Sequence, residues 1–237
     1  MRNILNLNEN WLFIKDTTDI TLRDGETVNL PHSWNATDGQ DGGNDYFRGS
    51  CLYVKTLNKA ELPEADRYFL EIRGANSSAD VYANGEKLCH HDGGYSTWRV
   101  DLTDKLTEKT EIAIIVDNAP NETVYPQMAD FTFYGGLYRD VNLVCVAETH
   151  FDLEYYGAPG IAITPTVNGK DASVEVEVFV KNLKSTQKIV YTLYDNEEKE
   201  LDKIELEYKS VGFTNRKDVY VCPECEYLGT KCYACAD

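Results

Sequence analysis

The sequence predicts an all-β protein of two domains, an antiparallel sandwich or barrel followed by an immunoglobulin-like sandwich. Three observations lead there. Short runs that alternate apolar and polar residues recur along the 237-residue chain, and glycine-rich turns or long polar loops separate them. No helical period is sustained through the first half. Near residues 146–157 the texture changes to lean, regular alternation, which marks a seam between two domains.

Taken in order, Trp11-Leu-Phe-Ile14 reads as a short opening strand. Leu22 to Leu30 is a broken alternation that Pro31 stops, and Trp34 is placed to pack under the next loop. This loop, Asn35 to Gly49, is long and polar, of a length that in a compact domain is functional or disordered. Tyr46, Phe47 and Arg48 argue for order, because rings need somewhere to pack. Asp38, Asp41, Asn44 and Asp45 carry oxygens suited to calcium, but their spacing does not fit a helix-flanked calcium loop.

Cys51 to Leu57 begins the next strand, and Arg67 to Arg73 alternates with Tyr68, Leu70 and Ile72 on one face. Ala79 to Ala83 runs into Asn84-Gly85, a strong hairpin signal, and Glu86 to Leu88 returns. His90-His-Asp-Gly-Gly-Tyr-Ser-Thr-Trp98 reads as a second polar-aromatic loop. Its two histidines and Asp92 invite a metal, yet neighbours on a strand face opposite ways. Ligand hydrogen bonding or plain loop packing is the better reading for His91. Asp101 to Leu106 suits a single turn and Glu111 to Val116 a strand; Asn118 to Ala129 then delivers the chain to Asp130.

From Asp130 to Asp140 the chain packs aromatics, a Gly135-Gly136 pair and Arg139-Asp140 into one short stretch. Glycines beside rings mark a tight turn where backbone approaches closely. Asp130 is either a turn-capping carboxylate or a group that faces a ligand.

Beyond the seam, Val174, Val176, Val178 and Val180 form one row, and Ile189, Tyr191 and Leu193 another. Residues 149–210 hold too few strands to fill an immunoglobulin-like sandwich, which uses about seven, so this domain is expected to be incomplete. Residues 211–237 are expected to form a separate cysteine-rich tail. Its Cys222, Cys225, Cys232 and Cys235 form two CxxC pairs with the spacing of a structural zinc site.

The formal charge is -17, from 40 acidic and 23 basic residues. Such a chain is repelled by nucleic acid and by anionic membrane. The first residues lack a signal-peptide core and no run reaches a membrane-spanning length, so a cytoplasmic location is expected. In that reducing setting Cys51, Cys89 and Cys145 read as small buried hydrophobes.

Several segments in order carry a resemblance. They are Leu30 to Gly49, Val81-Tyr-Ala-Asn-Gly-Glu86, His91-Asp-Gly-Gly-Tyr95, Arg99-Val-Asp-Leu-Thr103 and Gly135-Gly-Leu-Tyr-Arg-Asp-Val141. Together the chain resembles the front of a glycoside hydrolase family 2 enzyme, the β-galactosidase and β-glucuronidase group. The resemblance implies a jelly-roll, galactose-binding-like domain over residues 1–148 and part of an immunoglobulin-like domain over 149–210. It also implies that both catalytic glutamates belong to a TIM barrel needing roughly 250 further residues. The chain is therefore expected to be inactive alone.

In β-galactosidases of the family, loops of the first domain touch the sugar, and an aspartate ten residues ahead of the Arg-Asp-Val aspartate does so. That position is Asp130, and Asn44 is the nearest match to a second contact. Asp45, Tyr46, Arg48 and His91 complete the expected carbohydrate contacts. The implied partners are a β-galactoside-like sugar, bound weakly, and a catalytic barrel or a second copy of the chain. The alternatives are a stand-alone carbohydrate-binding module and a structural partner of a separately encoded barrel.

Overall fold

The computed structural model describes residues 2–36, 46–127, 132–169, 171–195, 197–208, 214–222 and 232–236. It divides into two compact units, Arg2–Cys145 and Val146–Asp237, close to the expected seam. The architecture is all-β: among the described residues the only helical turns are two short 3-10 turns, Lys59–Glu61 and Thr103–Lys105. None is long and apolar enough to cross a membrane.

The first unit is a jelly-roll sandwich of two sheets. Its strands are β1 (Asn3–Asn6), β2 (Trp11–Ile14), β3 (Glu26–Val28), β4 (Ser50–Asn58), β5 (Arg67–Ile72), β6 (Ser78–Ala83), β7 (Glu86–Asp92), β8 (Trp98–Asp101), β9 (Lys109–Asp117) and β10 (Val141–Val146). One sheet has the order β3-β2-β4-β9-β6-β7 and the other β1-β10-β5-β8. Neighbours in space are often distant in sequence, as when Ser50 pairs with Asp117 and Asn3 with Cys145. Hydrophobic alternation sets the register. Cys51, Tyr53 and Leu57 of β4 and Ile112, Ile114 and Val116 of β9 point into the main core beside Trp11, Leu70, Ile72 and Leu143.

The intervening residues explain why β4 and β9 read as nearly unbroken apolar runs. Leu52, Val54, Ala113 and Ile115 bury a second cluster on the outer face, with Ile14 and the partly buried Leu12, Ile20 and Tyr82. The Asn84-Gly85 hairpin is as expected, with φ of 49° and 83° at its two central residues. Cys51, Cys89 and Cys145 are free thiols, and burial pushes Cys51 up to about 12 and Cys89 to about 11.

Two strands escape the alternation rule. Asn3–Asn6 is largely exposed and finds its place only through pairing with β10. The expected loop from His90 instead continues β7 to Asp92, and Trp98–Asp101 forms β8.

One charge is buried in the four-stranded sheet. Glu71, 4% exposed, accepts from Arg99 at 2.8 Å, Arg73 at 3.0 Å and the Asn142 amide at 3.1 Å. Burial alone would raise its pKa, but these hydrogen bonds outweigh it and hold the carboxyl below its usual range. Its share of stability is therefore complete above the unfolded carboxyl pKa and is lost as pH falls through the lower folded value.

In the second unit, β13 (Asp171–Lys181) pairs with β11 (His150–Phe151), β12 (Ile161–Asn168) and β16 (Thr214–Cys222). A second sheet has the order β15 (Glu200–Tyr208), β14 (Gln187–Tyr194), β17 (Cys232–Ala236). Val176, Val178 and Val180 pack with Ile189 and Tyr191. Phe179, on the other face of β13, stacks on Tyr155 at 4.2 Å. On β12, Ile163 and Val167 are about half exposed.

Within the tail expected over 211–237, the described residues supply β16, registered from Ala172 opposite Cys222 to Val180 opposite Thr214, and β17, with Cys232 opposite Leu193. Local composition could not reveal this, because each strand depends on a partner that lies far back in the chain.

Glu71→Gln leaves Arg99 buried without its counter-charge and is expected to lower folding stability by about 3 kcal/mol. Urea melts across pH 3 to 7 check it: the variant should also lose part of the acid dependence of the parent.

Candidate functional site

The loops at one end of the first unit are held together by two buried amides. Asn35 and Asn118 are each 1% exposed. The Asn35 Oδ1 accepts from the Gly135 amide at 2.8 Å and from Asn118 Nδ2 at 3.2 Å, while its Nδ2 donates to the Phe47 carbonyl at 3.0 Å. Asn118 also donates to the Phe47 carbonyl at 3.1 Å and accepts from the Gly49 amide at 2.9 Å. Four segments far apart in sequence thus meet at two side chains. Backbone groups stranded by loop geometry are satisfied this way without a strand ladder.

The Gly135-Gly136 pair fits as its composition suggests. Gly135 lies flat on the Trp34 indole, leaving no space for a side chain. Gly136 has φ of +113°, and a Cβ there would sit 2.6 Å from the Tyr53 hydroxyl. Gly136 also makes a small bridge with Asn76. The Asn76 amide donates to the Tyr134 carbonyl at 2.9 Å and its Oδ1 accepts from Tyr125 at 2.9 Å.

Above this floor lies a tyrosine cluster. The Tyr95 ring stacks on Tyr125 at 4.9 Å and 17°, and meets Tyr138 edge to face at 6.4 Å. Tyr138 donates to the Gly94 carbonyl, and Arg139 donates to the Tyr95 carbonyl at 2.9 Å. Burial, then hydrogen bonding with Tyr95, pushes the Tyr125 phenol well up.

Beside it, His90 bridges Asp80 at 2.6 Å and Asp92 at 3.1 Å, and Lys87 binds the other Asp80 oxygen at 2.7 Å. Asp92 in turn accepts from Thr123 at 2.8 Å and Asn121 at 3.3 Å. This chain of contacts ties the end of β7 to the loop that carries Tyr125. The Asp80 hydrogen bond, followed by Asp92, holds His90 above its ordinary pKa. Burial lowers His91 and His32.

Among the expected contacts, Tyr46 and Arg48 are brought together, with the guanidinium 4.3 Å over the ring. Phe47 between them meets Trp34 edge to face at 6.5 Å. His91, on β7, is stacked on Trp98 at 4.6 Å and lies 3.0 Å from the Ser96 hydroxyl. Asn44, Asp45, Asp130 and Cys225 lie outside the described residues. Cys222 is on β16, and Cys232 and Cys235 are on β17. Among the described residues no group of three His, Cys, Asp or Glu is placed to hold a metal.

Sequence reasoning missed Asn35, Asn118 and Asn76 as organisers, and Tyr95 and Tyr125 as partners. An asparagine in a loop looks like any turn residue until its partners are known. The one usable signal was a tyrosine next to a glycine or proline in each of three separate loops.

A jelly roll with its loops pinned at one end, followed in the chain by a second two-sheet unit, defines a two-domain β-module. Comparison with known proteins places the module. The glycosyl hydrolase 2 galactose-binding domain-like family matches residues 46–138. A β-glucuronidase of Bacteroides fragilis is 36% identical over 179 residues, which are 74% of this chain and 26% of that protein. Among solved structures, an FMN-binding β-glucuronidase from Facaelibacterium prausnitzii L2-6 is 38% identical with a TM-score of 0.81, covering 95% of this chain and 34% of that one. A putative β-galactosidase from Bacteroides fragilis reaches a TM-score of 0.87 at 26% identity, covering 100% of this chain and 39% of that one.

The chain belongs to glycoside hydrolase family 2, as its N-terminal galactose-binding-like and immunoglobulin-like part. It spans about a quarter of the length of the curated relatives it matches, 26%, 22% and 26% for three of them.

A proton NMR titration is expected to find His90 titrating above its ordinary value of 6.5 and His91 and His32 below theirs. The His90 bridge then contributes fully below the unfolded pKa and fades as pH rises through the folded one. Asp80→Asn should bring the His90 value down; an unmoved His90 would contradict the bridge.

Proposed function

We propose that these domains are the carbohydrate-contacting and bracing part of a family 2 glycoside hydrolase, and that a catalytic barrel cleaves the glycoside. The observation that carries this is the disparity of lengths. Two solved β-glucuronidases match 94% and 95% of this chain with only 28% and 34% of their own. Retaining hydrolysis requires two carboxyls about 5 to 5.5 Å apart across a sugar. Three carboxylates near the loops are already committed: Asp80 to Lys87 and His90, Asp92 to His90 and Thr123, Asp117 to Ser50 and the Ala119 amide. Among the described residues there are no α-helices from which a (β/α)8 barrel could be built.

In this reading Asp130 accepts hydrogen bonds from sugar hydroxyls, with Asn44 as a second contact. Gln127 before it and Tyr134 after it both accept from the Asn76 amide, at 3.5 and 2.9 Å, so the described chain on either side of Asp130 converges on one side chain. The sugar is a β-galactoside-like pyranoside, held weakly because this part supplies only some of the contacts.

The purified chain is expected to show no turnover of aryl β-galactosides or β-glucuronides, and to bind the corresponding methyl glycosides at millimolar concentration by NMR. Asp130→Ala should weaken that binding about tenfold, the worth of one hydrogen bond to a charged group. Turnover that persists through repeated purification, or no sugar binding at all, would overturn the reading.

A further inference from the structure

The geometry points to a specific role for one surface of this module, and it rests on the accessory role proposed above: the Tyr95 ring is a preorganised platform on which a pyranose ring of a β-glycoside stacks. A single exposed aromatic is ordinary on a protein surface. Tyr95 differs in how firmly it is held while remaining 52% exposed. Tyr125 backs one face at 4.9 Å, Tyr138 meets it edge to face at 6.4 Å, and Arg139 grips the Tyr95 carbonyl at 2.9 Å. These supports are themselves fixed. Tyr125 donates to Asn76 at 2.9 Å, Tyr138 donates to the Gly94 carbonyl, and Asn76 is bridged to Gly136.

A ring fixed in this way has lost its rotamer freedom before any ligand arrives. Binding to it then carries little ordering cost, which is the advantage of rigid tyrosines in recognition surfaces. The chemistry of the neighbourhood selects a pyranose. An apolar ring face suits the C–H face of a sugar, and the partly buried Gln127, whose Oε1 lies 3.5 Å from the Asn76 amide, supplies a side-chain amide in the same loop cluster for hydroxyls. The net charge of -17 disfavours a polyanion at this surface. Tyr134, 53% exposed with its carbonyl held by Asn76, extends the aromatic surface in the same loop cluster.

The test uses the full chain with methyl β-galactoside and methyl β-glucuronide, monitored by NMR titration and by isotope-filtered NOEs from sugar protons to tyrosine ring protons. The unmodified chain should show NOEs to Tyr95. Tyr95→Ala should weaken binding about fivefold, and Tyr95→Phe, which keeps the ring, should stay within about twofold of the parent. Tyr156→Ala, at a ring 88% exposed in the second unit, should change nothing. Near-UV circular dichroism and the thermal midpoint establish that each variant folds, and the NOEs on the unmodified chain decide the matter if Tyr95→Ala does not. Sugar binding that survives Tyr95→Ala, with NOEs to other rings, overturns the platform and leaves the accessory role standing. An equal loss in Tyr156→Ala would mean unspecific stacking and overturns it as well. If neither sugar binds the unmodified chain, both readings fall, and Tyr95 belongs to a protein contact.

Discussion

Much of the first unit depends on the contact between Asn35 and Asn118. Their amides meet at 3.2 Å, and between them they satisfy the Gly135 and Gly49 amides and the Phe47 carbonyl. A jelly roll builds its core from strands but must return its loops over the ends of the sheets, where backbone groups have no ladder. Buried amides solve this because one side chain both donates and accepts. The solution is unforgiving: removing one leaves several groups desolvated and unpaired at once. It also confers precision. Trp34 forms the floor under Gly135, and Phe47 is wedged against Trp34, so the three loops share one reference point.

The sheets reinforce that precision in different ways. In the six-stranded sheet, β4 and β9 are apolar on both faces, so neither can shift register without exposing one of its two clusters. In the four-stranded sheet, Glu71 joins β5 to β8 through Arg99 and to β10 through Asn142. A buried charge of this kind contributes little net stability, but it penalises any pairing that separates its partners. Both devices fix the strand ends from which the loops emerge.

Legibility from sequence followed the range of the interactions. Period-two alternation located β5 and β13, and short apolar runs located β2, β4 and β9, because the environments on the two faces of a strand are imprinted residue by residue. The Asn84-Gly85 hairpin was readable because a positive φ at both residues is a local demand. Asn3–Asn6 was not, since its side chains are mostly exposed and only its backbone pairing makes it a strand. For the same reason β16 and β17 read as a tail. At the site, Tyr46 and Arg48 were singled out for their residue type, and the structure pairs them. His91 was singled out in the same way and turns out to be packed on Trp98. The asparagines that position everything were invisible, because asparagine in a loop carries no sign of whether it ends in water or in a buried network.

The electrostatics and the aromatic surface are consistent with one division of labour. In a chain with a charge of -17, three carboxylates near the loops, Asp80, Asp92 and Asp117, are tied into hydrogen bonds with Lys87, His90, Thr123 and Ser50. For Asp80 and Asp92 the hydrogen bonds outweigh burial and hold the carboxyl below its usual range, which disfavours work as a general acid. What the same end of the molecule offers is rigid tyrosine surface and oriented amides. That rigidity suits the accessory role proposed above, in which part of a substrate is held still while chemistry proceeds on another domain, because interactions made equally with substrate and transition state contribute affinity and orientation but not bond breaking.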